Sequence, residues 1–150
     1  MSESMSESAV TFARLERDGG ERFQSLRREL GVGSFGINLM RLAPGQRGRI
    51  HAHEHQEEVY VVLDGELTLI LEDAQHVLGR DSVVRVAPAV RRQLVNAAPQ
   101  PLVLLALGGS GEHRGRDGRA WRSWEERGEG APPQEVALPE DLPSAADGQR

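Results

Sequence analysis

Residues 45–65 of the chain read GQRGRIHAHEHQEEVYVVLDG. Within them, His51, His53 and His55 occupy alternate positions, and Glu58 follows. Side chains two positions apart on an extended strand point to the same side about 6.6 Å apart, so the first two imidazoles can converge on one ion. His51 and His55 would lie about 13 Å apart, so all three can bind the same ion only if the chain bends. The stretch therefore offers a pair of imidazoles that can share one ion, with a carboxylate close behind them.

The second half of the stretch predicts a β-hairpin. Asp64 and Gly65 tolerate positive φ, and such a pair between two apolar runs is typical of a type I′ turn. The expected inward-facing pairs are Val62 with Leu67, Tyr60 with Leu69 and Glu58 with Leu71. The opposite face is also apolar, with Val59, Val61, Leu63, Thr68 and Ile70. We expect one face to line a barrel interior, and the other to pack on a second layer, on another subunit or beneath the N-terminal segment.

The rest of the chain up to residue 110 is rich in strand signals. Short runs containing β-branched residues are separated by Gly, Pro, Asp and Asn. The predicted strands cover residues 37–42, 50–53, 57–63, 66–71, 82–86, 92–96 and 102–107. In this region only residues 23–30 have helical character. Many short strands at close intervals predict an all-β protein, either a sandwich or a small barrel.

We expect three segments along the chain. Residues 1–8 predict a polar N-terminal tail, residues 9–110 a barrel, and residues 111–150 a C-terminal extension that is mostly loop-like. Trp121 and Trp124 lie within this extension. Their spacing would place both rings on one face of a short helix, from which we expect them to cap the barrel.

The composition excludes several kinds of chemistry. There is no cysteine, which excludes disulfides, thiolate nucleophiles and cysteine-ligated metals. All 18 basic residues are arginine, which excludes enzymes that need a Schiff-base or phosphate-binding lysine. The net charge of -5 argues against nucleic acid as the main partner, and the longest apolar run, residues 102–107, is too short to cross a membrane. Together with the acidic, polar N-terminus, these features lead us to expect a cytoplasmic protein.

The spacing Gly45-x5-His51-x-His53-x4-Glu58-x6-Gly65 resembles the first motif of the cupin family at every position. The resemblance implies an antiparallel double-stranded β-helix, or jelly-roll barrel. It also implies that His51, His53 and Glu58 bind a divalent metal ion inside that barrel. Iron, manganese, nickel, cobalt and zinc all accept such a ligand set.

The second cupin motif is matched poorly. Its best register runs through Asp81, Ala87, Ala89, Arg92 and Asn96, so the position of the fourth ligand, normally histidine, holds Arg92. Arginine stays protonated and has no lone pair for a metal. In one interpretation Arg92, together with Tyr60, binds the substrate at the open side of a metal. In the other, Arg92 pairs with Glu58 and the site holds no metal.

The function that follows is a metal-binding cupin acting on a small oxygen-rich or acidic molecule, by chemistry of the dioxygenase, isomerase or decarboxylase type. Whether it is an enzyme stays open, because a non-catalytic ligand-binding or regulatory barrel is the alternative. We expect a small-molecule ligand and a homodimer as partners, with neither nucleic acid nor membrane. Of the other histidines, His55 is expected at the rim, His76 in a loop and His113 in solvent.

Overall fold

A computed structural model describes residues 9–109 and 117–143. This part of the chain contains ten strands, one short helix, α1 (Leu26–Leu30), and a 3₁₀ turn at Pro133–Glu135. The strands are β1 (Phe23–Ser25), β2 (Gly36–Leu42), β3 (Ile50–His53), β4 (Glu57–Asp64), β5 (Leu67–Ile70), β6 (Gln75–Leu78), β7 (Val83–Val86), β8 (Gln93–Val95), β9 (Leu102–Gly109) and β10 (Gly118–Trp121). Within the same residues, no helix has the length and apolar character needed to cross a bilayer.

The strands form two antiparallel layers. One is a five-stranded sheet in the order β1-β2-β9-β4-β7. The other layer contains the three-stranded sheet β6-β5-β8 and the pair β10-β3. Two isolated bridges, His51–Arg92 and Arg47–Val95, connect the β3 and β8 segments of these two sheets. The predicted all-β jelly-roll architecture is confirmed.

The core lies between the two layers and is formed by the inward-facing side chains of both. Its buried members are Met40, Leu42, Tyr60, Val62, Leu67, Leu69, Val86, Leu94, Leu102, Leu104 and Ala106. Each fully buried leucine contributes about 1.5–3 kcal/mol relative to an exposed one. Since aromatic residues make up only 4% of the sequence, aliphatic burial is the main source of the stability of the fold.

The predicted hairpin between β4 and β5 is wrong. β4 pairs with β9 and β7, whereas β5 pairs with β6 and β8, so the chain crosses between layers at Asp64 and Gly65. Asp64 does not adopt the positive φ that a type I′ turn requires, while Gly65 has φ +79°. A Cβ at Gly65 would come closer than 3 Å to the carbonyl oxygen of Pro101, so this corner requires glycine.

The predicted inward face is nevertheless right for β4 and β5. Tyr60, Val62, Leu67 and Leu69 are all buried in the shared core. The alternation of side chains belongs to each strand separately, whereas the pairing partner depends on contacts with distant parts of the chain. An error in pairing therefore left the assignment of faces intact.

The N-terminal segment covers part of the outer face of the five-stranded sheet. A second cluster brings residues of this segment, Leu15, Leu26 and Leu30, against the outward-facing side chains of β2, β4 and β9, among them Leu39 and Leu63. The helical character expected for residues 23–30 is found only in its second half, after strand β1. A second layer, another subunit and the N-terminal segment are the three expected ways of covering this face. Around Leu63, it is the N-terminal segment that packs on it.

The predicted helix with two tryptophans is wrong. Trp121 is the last residue of β10, which pairs with β3. Trp121 and Trp124 pack on Ile50 and Ala52, whose side chains point away from the barrel interior. The Arg91 guanidinium lies 5.0 Å from the Trp121 ring centroid and 5.3 Å from that of Trp124. The tryptophans therefore cover the outer side of β3 instead of an end of the barrel, and the predicted loop-like extension includes a strand.

Candidate metal centre

Three candidate ligands meet at one end of the barrel interior. His51 and His53 project from β3, and Glu58 projects from the start of β4 in the opposite layer. Glu58 Oε1 lies 3.3 Å from His51 Nε2 and 3.3 Å from His53 Nε2. The imidazole rings are perpendicular, with centroids 5.5 Å apart. One ligand atom from each residue lies within 4.8 Å of the others, a group that could hold a metal ion.

The Glu58 carboxylate is held in its charged form. Burial by itself would raise the pKa of Glu58, but the adjacent imidazoles of His51 and His53 outweigh burial and hold the pKa well below its usual range. The side chain is only 14% exposed. The cluster therefore presents an anionic oxygen over a wide pH range.

The hydrogen-bond pattern of the imidazoles fits a cation. His51 Nδ1 lies 3.2 Å from the carbonyl oxygen of Arg49, which can only accept, so this nitrogen carries the proton. In neutral His51, the lone pair of Nε2 then faces the Glu58 carboxylate, and two acceptors at that distance require a proton or a metal ion between them. Both ring nitrogens of His53 are buried without a hydrogen-bond partner. The donors present thus suit a divalent metal ion.

Tyr60 lies next to Glu58 on the inward face of β4. It is 1% exposed, and its hydroxyl donates a hydrogen bond to Glu58 Oε1. Burial, followed by the negative charge of Glu58, raises the pKa of Tyr60 well above its usual range. The phenol therefore stays protonated and keeps donating to the carboxylate.

Arg92 is fully buried beside the same carboxylate. Its backbone exchanges two hydrogen bonds of 2.9 Å with His51, which places the two residues opposite each other. Arg92 Nη2 donates to the carbonyl oxygen of Ala87 at 2.9 Å, and Nε lies 3.9 Å from Glu58 Oε1. Nε and Nη1 have no hydrogen-bond partner. The structure thus places a cation beside the three candidate ligands, as the register of the second motif predicts.

A cavity of about 810 Å³ opens onto this end of the barrel. His53 and Glu58 line it, together with Asn38, Ala106 and Gly108 of β2 and β9. This volume lies within the range typical of small-molecule sites. Tyr60 and Arg92 do not line the cavity, so direct contact of these two residues with a substrate stays a prediction.

Asp117 is a residue of this region that sequence reasoning missed. Its buried carboxylate accepts hydrogen bonds from the backbone N–H groups of His55 at 2.8 Å and Gln56 at 2.9 Å. Its Oδ1 lies 2.9 Å from His55 Nδ1, and its Oδ2 lies 3.7 Å from His53 Nδ1. Burial would raise the pKa of Asp117, but these hydrogen bonds outweigh burial and lower it. The sequence shows only an acid among arginines, because the contact joins residues about sixty positions apart.

The other histidines lie away from the three candidate ligands. His55 is more than half exposed and lies at the rim, as predicted. Together with Glu54 and Asp117 it forms a second group that could hold a metal ion, although Glu54 already pairs with Arg119 at 3.1 Å. His76 is exposed on strand β6 instead of in a loop. His113 lies outside the described residues, as do the predicted N-terminal tail and residues 110–116 and 144–150.

Residues 38–108 match the family model of the cupin domain. The chain contains a cupin domain. The matched region runs from β2 to β9 and includes the whole candidate metal centre.

Three solved structures resemble this chain. A candidate sugar phosphate isomerase from Acidithiobacillus ferrooxidans is 30% identical, with a TM-score of 0.54 over 57% of this chain and 56% of that chain. A cupin protein from Bacteroides fragilis is 19% identical, with a TM-score of 0.61 over 71% and 89% of the respective chains. The cupin domain of an XRE family transcriptional regulator from Enterobacter cloacae is 25% identical, with a TM-score of 0.53 over 58% and 93%. No curated protein sequence matches this chain.

Proposed function

We propose that this cupin binds one divalent metal ion through His51, His53 and Glu58 and acts on a small oxygen-rich or acidic molecule. The observation that carries the proposal is the convergence of three ligand atoms within 4.8 Å. Two of the three residues also line the cavity of about 810 Å³. The candidate metal is iron, manganese, nickel, cobalt or zinc.

When bound, such an ion supplies Lewis acidity that polarises an oxygen atom of the ligand. The chain contributes the orientation of the site. Tyr60 holds the Glu58 carboxylate, and Asp117 stands behind the His53 ring, as the outer partners of metal-binding histidines do. The resemblance to a candidate sugar phosphate isomerase makes isomerisation of a phosphorylated sugar the first activity to test, ahead of oxygenation and decarboxylation.

Metal binding is tested on the full chain. Metal content is measured after purification without added metal, and melting is then recorded before and after chelation. Bound metal stabilises by mass action, about 2.7 kcal/mol when its free concentration is a hundred times Kd. We expect chelation to lower the Tm of the wild type and of His76→Ala, an exposed histidine used as the control, but to have no effect on His51→Ala. If the Tm of the wild type is unchanged by chelation and by added metal, the proposal fails.

A second function is favoured by the position of Arg92. A buried guanidinium 3.9 Å from Glu58 can neutralise the carboxylate in place of a metal, and a cation at that position repels a dication. The barrel would then bind a polar or anionic ligand without catalysis. The fold is compatible with such a role, since the similar domain from Enterobacter cloacae belongs to a transcriptional regulator.

The variant Arg92→His separates the two functions. If the first is right, the wild type binds metal, and the new imidazole tightens binding by about tenfold or more. If the second is right, the wild type shows no saturable metal binding, and the site gains it only in the variant.

We also propose a homodimer through the outer face of β4 and β7. Val61 pairs there with Val83, which is 65% exposed. Val61→Glu should convert a dimer to a monomer in size-exclusion chromatography, and a monomeric wild type would refute the proposal. The cytoplasmic location and the absence of a nucleic-acid partner stay predictions, which cell fractionation and electrophoretic mobility shifts would test.

A further inference from the structure

Arg27 reaches the same cavity from outside the barrel. It lies on α1, which begins after Ser25, whose Oγ accepts a hydrogen bond from the Arg28 N–H at 3.3 Å. The preceding residue, Leu26, is buried in the cluster on the outer face of the sheet. Arg27 lines the cavity together with His53 and Glu58. The N-terminal segment therefore adds a cation to a site whose other charged groups come from the barrel and β10.

Arg27 has one guanidinium nitrogen without an acceptor. Its Nε is buried and has no hydrogen-bond partner. The other charged groups of the cavity wall are paired, Arg119 with Glu54 at 3.1 Å and Glu58 with the two imidazoles. Within the described part of the chain, Arg27 forms no ion pair. A guanidinium at a cavity wall that has no carboxylate partner among these residues is available to bind an anionic ligand.

The shape of the wall suits a small ligand with hydroxyl groups. Ser25, Asn38 and Gln134 present uncharged polar side chains to the cavity, while Gly108 and Gly118 leave space. Polar neutral groups of this kind bind hydroxyls, whereas a guanidinium binds a carboxylate or phosphate through two parallel N–H groups.

We propose that Arg27 binds the anionic group of a small hydroxylated acid or phosphate ester whose other end faces His53 and Glu58. The proposal rests on the proposed function in that the second end would meet the metal ion. The anion-binding half depends only on Arg27 and can be tested separately.

The test uses the full chain, with inorganic phosphate and malonate as probes at constant ionic strength. Binding is measured by calorimetry in the wild type, Arg27→Gln and Arg28→Gln. Arg28 is the matched control, because it is the next residue of the same helix and is exposed. We expect Arg27→Gln to raise the Kd of at least one probe by about tenfold or more and Arg28→Gln to leave it unchanged. A preference for phosphate identifies the ester class, and a preference for malonate identifies the carboxylic acids.

Arg27→Lys provides a second variant that keeps the charge but loses the planar fork, and it should retain more affinity than Arg27→Gln. Equal Kd values for Arg27→Gln and Arg28→Gln, or no saturable binding of either probe to the wild type, would overturn the proposal. Metal affinity is measured in parallel and should be the same in both glutamine variants. If anion binding depends on Arg27 but no metal binds, the proposed metal function fails and the anion site stands. If metal binds but anion binding does not depend on Arg27, only the anion site is rejected.

Discussion

The two ends of the barrel interior are built on the same strands but hold different side chains. Along the inward face of β9, the residues are Leu102, Leu104, Ala106 and Gly108. On β4 next to it, Val62 lies opposite Leu104, Tyr60 opposite Ala106 and Glu58 opposite Gly108. Bulky aliphatic residues fill one end, whereas the smallest residues lie opposite the polar side chains at the other.

This difference shows how one fold separates stability from chemistry. The aliphatic end buries apolar surface, which is the main favourable contribution to folding. The polar end buries Glu58 and Arg92, whose desolvation opposes folding unless other groups compensate for it. The two ends share strands, but their side chains make different kinds of contact. Substitutions at the aliphatic end should therefore leave metal binding largely unchanged, and substitutions at the polar end should leave stability largely unchanged. The following predictions test that separation, from the largest expected effect to the smallest.

Removing a core leucine should affect stability alone. Leu104 is fully buried at the aliphatic end, so Leu104→Ala should lower the free energy of unfolding by about 3 kcal/mol and leave metal affinity unchanged. Urea unfolding measures the first effect and metal titration the second. The matched control is Leu105→Ala on the opposite face of the same strand, where the side chain is only partly buried and the loss should be smaller. A large loss of metal affinity in Leu104→Ala would contradict the separation.

Removing a candidate ligand should have the opposite effect. His53→Ala should weaken metal binding by about a hundredfold, or about 2.7 kcal/mol. Because His53 Nε2 also lies 3.3 Å from the buried Glu58 carboxylate, some stability should be lost in the presence of a chelator, but less than the about 3 kcal/mol expected for Leu104→Ala. Competition with a metal-sensitive dye measures the affinity, with His76→Ala as the control. Unchanged affinity in His53→Ala would remove this residue from the ligand set.

Asp117 should affect both properties, and two variants separate them. Asp117→Asn keeps an acceptor for the His55 and Gln56 N–H groups but loses the charge behind His53, so metal affinity should fall by about tenfold with a modest loss of stability. Asp117→Ala also leaves both N–H groups unpaired, and its Tm should be clearly lower. Equal metal affinity in Asp117→Asn and the wild type would show that the carboxylate serves only to hold the loop.

The smallest effect is expected on the protein surface, at the exposed Glu72. Hydrogen bonds from Arg91, and then from Arg127, lower the pKa of this exposed carboxyl below its ordinary 4.5. Because the folded-state pKa is the lower one, the interaction stabilises the protein above about pH 4.5, and this contribution is lost as the pH falls through the folded-state pKa. Glu72→Gln should therefore lose less Tm than the wild type between about pH 6 and pH 3. Asp73→Asn, its exposed neighbour, is the control and should behave like the wild type.

Much of the fold and of the candidate site could be predicted because the signals are local. His51 and His53 lie two positions apart, so alternation along a strand is enough to place them on one side, and the cupin-like spacing adds Glu58 from the next strand. The motif glycines Gly45 and Gly65 both adopt positive φ, as residues at tight turns do. The predicted strands agree with the structure to within one or two residues at most ends, because Gly, Pro and Asp separate them.

Most of the errors concern partners that lie far apart in the sequence, although the strand that contains His76 pairs with its neighbour β5. An Asp-Gly pair predicts a turn, but whether the strands on either side pair with each other depends on which sheet each joins. The two tryptophans were assigned to a helix from their spacing, whereas β3 recruits Trp121 into a strand. Tertiary pairing outweighs such a weak local preference.

The sequence by itself determined most of the strands and the inward face of β4, because these follow from short-range periodicity. The set of two histidines and one glutamate came from the resemblance of its motif to that of cupins. Only the tertiary structure decided that the chain changes layers at Gly65, that Asp117 stands behind His53 and that Arg27 faces the same cavity. The reason is physical. A strand dictates where its own side chains point, but which distant groups meet them depends on how the whole chain packs.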